Sequence, residues 1–224
     1  MTNNVLVIAA HSDDEALGCG GTISKLASNG SNITVLFMTD GVSSRKSADR
    51  NGSSKLRKLN SEKAGKILGI SNIIQLDYPD NGMDSVPLLD VTKSIEAAIK
   101  QCQPSIVYTH YIDDLNIDHA ITARASLTAT RPMAGSYVKS VLGYEVNSST
   151  EWSFGSRQFS PNYFVNVTES FADKINALRA YEKELREYPH PRSIEGITAL
   201  ATVRGSTSGF KFAEGFEVYR ILEK

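Results

Sequence analysis

The chain has 224 residues, with 24 Lys and Arg against 25 Asp and Glu for a formal net charge of −1. That length suits one domain over residues 1–224, and that charge leaves no basic field to draw in nucleic acid. Cys19 and Cys102 form neither a C-x-x-C pair nor a disulfide framework, no apolar run reaches the ~18 residues of a membrane helix, and the N-terminus shows no charged leader, so the expectation is a cytoplasmic protein without a transmembrane segment.

Strand and helix signals alternate along the first half. Val5–Ala9 is a short apolar run of the buried parallel type, followed by a helical pattern over Ala16–Ser28. Ile33–Met38 is a strand, and Leu56–Leu68 is a helix ending at Gly69. Ile73–Leu76 is a strand, and Leu88–Cys102 is a helix stopped before Pro104. Ser105–Thr109 is a strand, and His119–Thr130 is a helix stopped by Pro132. Further on, Ser140–Val146 and Tyr163–Val167 are strands. Ser170–Glu187 is an amphipathic helix capped by Thr168 or Ser170, Ser193–Val203 is a helix, and Glu214–Leu222 alternates. Thr39–Ser54 and Tyr78–Val86, rich in Gly, Ser, Asn and Asp, are long loops of functional type. The rhythm predicts an α/β fold, a Rossmann-like, mostly parallel sheet with helices on both faces.

The first strand empties into Ala10-His11-Ser12-Asp13-Asp14-Glu15. Ligands of open α/β sheets sit at the carboxyl ends of strands, so this cluster lies where such folds do chemistry. His11 and Asp14 are three apart at a strand-to-helix turn and can converge on one point; imidazole nitrogen and carboxylate oxygen are ordinary zinc donors. A third donor is His119, in Asp114-Leu-Asn116-Ile-Asp118-His119 beyond the fourth strand. Two histidines and one carboxylate leave a coordination position open, as catalytic sites do, and Asp13 is then the spare acid that can act as general base. Carboxylates at a helix N-terminus are also favoured by its dipole, but that accounts for neither His11 nor the distant Asp118-His119 pair.

Two other motifs do not carry through. The glycines of Gly18-Cys19-Gly20-Gly21 come too late after the first strand for a dinucleotide fingerprint, and three carboxylates precede them where a pyrophosphate would sit. Close helix–sheet packing is their simpler use. Leu36-Phe-Met38-Thr-Asp40-Gly41 is similar to the strand end of aspartyl-phosphate phosphatases, but Met38 stands at the nucleophile position.

The first cluster together with Asp118-His119 resembles the PIG-L/LmbE-like N-acetylglucosaminyl deacetylases. Supporting matches are Thr39-Asp40-Gly41, Tyr78-Pro79-Asp80, Asp114-x-Asn116, His190-Pro191-Arg192-Ser193, Arg204-Gly205 and Ala213-Glu214-x-Phe216. The resemblance implies a zinc-dependent amide hydrolase acting on N-acetylated amino sugars carried on a nucleotide, a lipid or another glycoside, in glycan or polysaccharide biosynthesis. It implies His11, Asp14 and His119 as metal ligands, Asp13 as general base, and Asp118 as the partner that fixes a neighbouring side chain. Ferrous iron is the alternative metal for such a donor set.

Two positions depart from the family pattern. Ser12 replaces its proline. Asn116 replaces a histidine credited there with stabilising the oxyanion or protonating the leaving amine. An Asn amide can donate to an oxyanion but cannot act as an acid. Either Asp13 then makes both proton transfers, or His110 or His190 takes over. Arg45, Asp80, Asn81 and Arg192 are expected on the rim as sugar contacts. The run Tyr188–Ser193 reads equally as a flap or as a helix-breaking linker. A sugar-binding homologue without catalysis and an amidase for a non-sugar acylamine are the alternative functions; a homo-oligomer stays open.

Overall fold

The computed structural model describes residues 3–39, 41, 50–155 and 157–223, with residues 50–54 described by their backbone alone. Its strands are β1 (Asn4–Ala9), β2 (Asn32–Thr39), β3 (Asn72–Tyr78), β4 (Ile106–His110), β5 (Ser140–Tyr144), β6 (Tyr163–Asn166) and β7 (Ala213–Ile221). They form one sheet in the order β3-β2-β1-β4-β5-β7-β6. Strands β1 to β5 run parallel, and β7 lies antiparallel between β5 and β6.

Side chains of β1 alternate between two cores. Val5, Val7 and Ala9 join a cluster with α1 (Asp14–Ser28), α2 (Arg50–Leu68), α5 (Phe171–Ala180) and α6 (Ile194–Ser208). Leu6 and Ile8 join the opposite cluster with α3 (Leu88–Cys102) and α4 (Ile117–Ala129). This is why β1 reads as an unbroken apolar run: both its faces are covered. Each of its buried large side chains is worth about 1.5–3 kcal/mol. The mostly parallel sheet with helices on both faces agrees with the expected α/β class.

Neighbours β2 and β4 flank β1 on opposite sides, so the chain reverses its direction of travel across the sheet between β1 and β4. The crevice at their carboxyl ends is the topological switch point, where ligands of open α/β sheets bind.

Helix α1 is broken at Cys19 (φ −143°, ψ 24°), in the middle of the glycine run. The glycines serve close approach: a Cβ on Gly18 would overlap the Tyr144 ring, and one on Gly21 would lie 2.8 Å from Val167 Cβ. The break exposes backbone groups that need partners. Glu214 of β7 accepts from the N–H groups of Gly21 and Thr22 at 3.0 and 2.7 Å. Lys174 of α5 donates to the Leu17 carbonyl at 2.7 Å and pairs with Glu214 at 2.6 Å. A buried ion pair drawn from the C-terminal half thus caps a helix break beside the site.

Three sequence readings need correction. The loop expected over Thr39–Ser54 stops at Arg50, because α2 extends through Gly52 and Ser53 despite their weak helix propensity and packs along α5. The helix expected over Ser170–Glu187 ends at Ala180 and gives way to a 3-10 turn at Glu182–Glu184. Tyr181 and Glu184 leave the helical path to bond Glu15 and Arg57. Ser170 is the N-cap residue, but its hydroxyl bonds the Gly21 carbonyl at 2.7 Å instead of capping α5.

Removing one member of a buried ion pair strands the other. Glu214→Ala should therefore lower unfolding free energy by roughly 3–5 kcal/mol, read as a fall in the urea midpoint at unchanged slope. A loss under about 1 kcal/mol, the scale of an exposed pair, would refute the capping role.

Candidate active site

His11 follows the end of β1 after one intervening residue, Ala10, and Asp14 opens α1. The His11 N–H donates to Asp14 Oδ2 at 2.9 Å, which closes the turn. Across the crevice, β4 runs out at His110 and the chain returns as α4. Asn116 caps α4 with its side-chain oxygen, accepting from the N–H groups of Asp118 and His119 at 2.9 and 3.4 Å. The cap places His119 in the first turn, facing back toward β1.

Three candidate ligand atoms then meet. His11 Nδ1 is 3.1 Å from Asp14 Oδ2, His119 Nε2 is 3.2 Å from the same oxygen, and the two nitrogens are 3.3 Å apart. A tetrahedral ion with bonds near 2.0–2.1 Å would separate its ligand atoms by about 3.3–3.4 Å. The triangle fits that spacing, all three residues are buried, and Asp14 Oδ1 is a buried oxygen with no hydrogen-bond partner. The electrostatics agree. Burial alone would discharge the imidazoles, yet hydrogen bonds and charge from Asp118 and Asp14 push His11 up to about 10. Asp14 and Asp114 likewise push His119 up to about 9. Burial alone would raise Asp14, but His119 and His11 hold it well below the usual carboxylate range. The pocket calls for positive charge, and one divalent cation would supply it without two imidazolium rings facing each other at 3.3 Å.

The far nitrogen of each histidine has its own carboxylate. His11 Nε2 lies 3.1 Å from Asp118 Oδ2 and 3.3 Å from Asp80 Oδ1. Asp118 is itself fixed by the N–H groups of Asn81 and Met83, at 2.7 and 3.0 Å, from the loop after β3. His11, Asp80 and Asp118 are also close enough to hold an ion, but the two amides on Asp118 suit an orienting partner. His119 Nδ1 lies 3.1 Å from Asp114 Oδ1, and Asp114 accepts from Ser149 and Thr150 at 3.1 and 2.5 Å. Such pairs fix the imidazole tautomer and leave the inner nitrogen free for a cation.

Asp13 occupies a strained backbone position, with φ at 139°. Its N–H donates to Glu15 Oε2 at 3.1 Å, and Tyr181 donates to the other Glu15 oxygen at 2.7 Å. Asp13 Oδ2 takes Arg192 Nη1 at 3.0 Å. Its Oδ1 has no donor among the described residues. Burial raises Asp13, Arg192 pulls it back, and the balance is about 6. A carboxyl poised there can accept and return a proton near neutrality.

His110 is fully buried beneath the site, stacked on His119 with ring centroids 4.0 Å apart, and its Nε2 accepts the Ala10 N–H at 2.8 Å. Burial, then His119, holds it well below the ordinary histidine range. It supports His119 and Asp14 from below and does not line the cleft, so it is not placed to donate a proton to a substrate there. His190 is outside the cleft lining too; its Nδ1 accepts the Arg192 N–H at 3.1 Å.

The cleft above the triangle, about 400 Å3 including its mouth, is lined by His11, Asp13, Arg57, Asp80, Asn81, Asn116, Glu184 and Arg192. Of the residues expected at the site, Asp13, His11, Asp80, Asn81, Asn116 and Arg192 line it, and Asp14, Asp118 and His119 sit just beneath. Arg45 lies outside the described residues. Arg57, paired with Glu184 at 2.8 Å, was not expected there. No local signal marks Glu184, because its place depends on where α5 ends. Asp114, five residues before His119, did carry a signal as a carboxylate in the same strand-to-helix loop.

Residues 6–130 match the family profile described as PIG-L: GlcNAc-PI de-N-acetylase. The chain belongs to the PIG-L family. This PIG-L chain is 30% identical over 221 residues, 94% of its length and 81% of the relative's, to the diacetylchitobiose deacetylase of Thermococcus kodakarensis. It is 28% identical over 190 residues, 82% of its length and 84% of the relative's, to a probable N-acetyl-alpha-D-glucosaminyl L-malate deacetylase 2 of Bacillus cereus. In fold it is similar to the N,N'-diacetylchitobiose deacetylase of Pyrococcus horikoshii, with a TM-score of 0.77 at 23% identity, covering 96% of this chain and 83% of that one. It is equally similar to GalB, the 4-carboxy-2-hydroxymuconate hydratase of Pseudomonas putida, with a TM-score of 0.80 at 21% identity, covering 100% and 99%. A hydratase on the same fold means that function must be argued from the site.

Glu15 gives this PIG-L chain a pH signature. Burial pushes its carboxyl from 4.5 up to about 8, against the opposing pull of the Tyr181 hydrogen bond. The folded chain therefore keeps a proton that the unfolded chain loses, and the resulting stability is full below pH 4.5 and lost as pH rises through about 8. Glu15→Gln is neutral throughout, so between about pH 5 and about pH 8 its Tm should gain on that of the wild type. A Tm difference that stays flat with pH would show that Glu15 is ionised in the fold.

Proposed function

We propose that the chain is a metal-dependent N-deacetylase that removes the acetyl group from an N-acetylated amino-sugar conjugate. The observation that carries this reading is the His11–Asp14–His119 triangle with the open Oδ1 of Asp13 beside it in one cleft. His11 Nδ1, Asp14 and His119 Nε2 would hold the ion, zinc or alternatively ferrous iron. When bound, such an ion polarises an amide carbonyl and lowers the pKa of water to about 7.

The chain's own residues do the rest. Asp13 Oδ1 takes a proton from the attacking water as its oxygen bonds to the acetyl carbon. The C–N bond then breaks, the same proton passes from Asp13 to the departing nitrogen, and acetic acid and a free amine result; the acid's own proton then moves to the more basic amine, leaving acetate and an ammonium. With asparagine at 116 and His110 sealed below, Asp13 makes both transfers. Asn116, whose Nδ2 lies 3.3 Å from Asn81 Oδ1, adds a neutral donor on the cleft wall. Asp118 and Asp114 hold the two histidines. Asp80, Asn81 and Arg192 offer contacts for sugar hydroxyls, and Arg45 is proposed with them. The PIG-L relatives are named for acetylated disaccharide and glucosaminyl malate substrates, which supports a glycoside-type conjugate and a single deacetylase unit over residues 1–224. Among the described residues no helix is long and apolar enough to cross a membrane. We place the enzyme in the cytoplasm, in glycan or polysaccharide biosynthesis.

Elemental analysis of the purified chain should find about one zinc or iron per molecule, and His11→Ala, Asp14→Ala and His119→Ala should each lose it. A chain that neither carries metal nor takes up added zinc refutes the reading. With N,N'-diacetylchitobiose and N-acetylglucosaminyl malate as probes, Asp13→Ala should keep its metal and release acetate roughly 10²–10⁴-fold more slowly. Undiminished acetate release would remove Asp13 from the mechanism.

A further inference from the structure

The expelled amine needs a proton, which Asp13 supplies, but the tetrahedral intermediate also needs a donor for its oxyanion. Position 116, where the family pattern has a histidine, holds an asparagine whose carbonyl oxygen is consumed in capping α4 and whose Nδ2 faces Asn81. Beside His11, whose ring nitrogens face Asp14 and Asp118, four side chains with N–H groups line the cleft: Arg57, Asn81, Asn116 and Arg192. Arg57 pairs with Glu184 through Nη2, and its Nη1 is sealed from solvent, with Gly41 so close that a Cβ there would come within 2.6 Å of it. The Asn81 amide bonds Asp80 at 3.2 Å.

Arg192 differs from the other three. Its Nε donates to Ser148 Oγ at 2.7 Å and to the Asn147 carbonyl at 3.3 Å, and Nη1 is on Asp13 at 3.0 Å. Its own backbone N–H is tied to His190. The planar guanidinium is thus fixed at two corners, while Nη2 has no partner among the described residues. Burial would lower its pKa, but the surrounding carboxylates, Asp13 first and then Asp14, Glu184 and Glu151, together raise it. It is a permanent cation and a donor only, never an acid. Preorganised charged donors are the stronger kind for a developing oxyanion.

We propose that Arg192 is a catalytic residue whose Nη2 donates to the oxyanion of the tetrahedral intermediate, taking the charge-stabilising part that falls to a histidine at position 116 in the family pattern. This rests on the deacetylase reading and moves Arg192 from a sugar contact to a contact with the reacting atoms. Labour is then divided: Arg192 holds charge, and Asp13, aligned by Nη1 of the same guanidinium, carries the proton.

The test compares the zinc-loaded wild type with Arg192→Met and Arg192→Lys. On the deacetylation probes, Arg192→Met should lose about 10²–10³-fold in kcat with KM nearly unchanged and zinc content intact. Millimolar guanidinium should restore part of the rate to the methionine variant, which loss of a merely structural residue would not allow. Arg192→Lys should recover little, since one ammonium cannot hold Asp13 and reach the oxyanion together. A raised KM with unchanged kcat returns Arg192 to substrate binding and overturns the proposal. A second arm needs no substrate. Calorimetric binding of methylphosphonate, a tetrahedral anion, should weaken at least about tenfold in Arg192→Met. Equal affinity in both proteins, or no binding by the wild type, overturns the proposal. A wild type that binds the anion yet hydrolyses no acetylated amino sugar would instead sink the deacetylase reading and leave the anion site standing.

Discussion

Three polar atoms from two strand ends share a buried space about 3.3 Å across, and the surroundings answer to that constraint. His11 Nδ1, Asp14 Oδ2 and His119 Nε2 are held together there, and the buried Asp14 carboxylate favours a positive charge among them. The carboxylates behind the histidines increase the demand, and their hydrogen bonds leave the rings no freedom to turn away. Asp118 is fixed by two backbone amides and Asp114 by two hydroxyls. Each ligand is therefore oriented by a group that is itself oriented, which is how a protein keeps a site for an ion rigid.

The fold carries the cost of this arrangement elsewhere. Asp13 sits at a backbone angle that side-chain-bearing residues avoid, and a buried Glu15–Tyr181 pair holds it there. Helix α1 breaks one turn later so that its glycines can lie against Tyr144 and Val167, and the buried Lys174–Glu214 pair covers the break. These contacts join α5 and β7 to the first helix. The C-terminal half of the chain is thus structurally committed to a site whose candidate metal ligands all come from the first 119 positions. That commitment is one physical reason for the likeness to PIG-L relatives to extend over 94% of this chain while the family profile covers residues 6–130.

Asn116 shows how one residue can be read two ways. As a replacement for a histidine it removes an acid from the cleft. As a residue before a helix it is among the best N-caps, and the structure uses its oxygen so. The two readings are compatible because the amide has two ends. Arg192 makes the replacement tolerable, since it brings a fixed cation to the same cleft from a loop nearly eighty residues further along the chain.

The apolar runs of β1, β2 and β4, the helix periods between them and the polar clusters at their ends were legible because each is a local pattern: burial on both faces demands unbroken apolar strands, and a metal-binding turn demands donors at close spacing. His11 and Asp14 could be proposed as a pair on that ground, and His119 as their partner because it stands beyond the end of another strand; the structure brings the three together. Local pattern could not give the end of α5, the place of Glu184 and Arg57 beside the cleft, or the burial of His110 beneath it. It also could not reveal the hold of Arg192 on Asp13, 179 residues apart. Those were decided by packing between distant segments, where a side chain's role depends on which neighbour reaches it first, and only the tertiary structure brings those neighbours together.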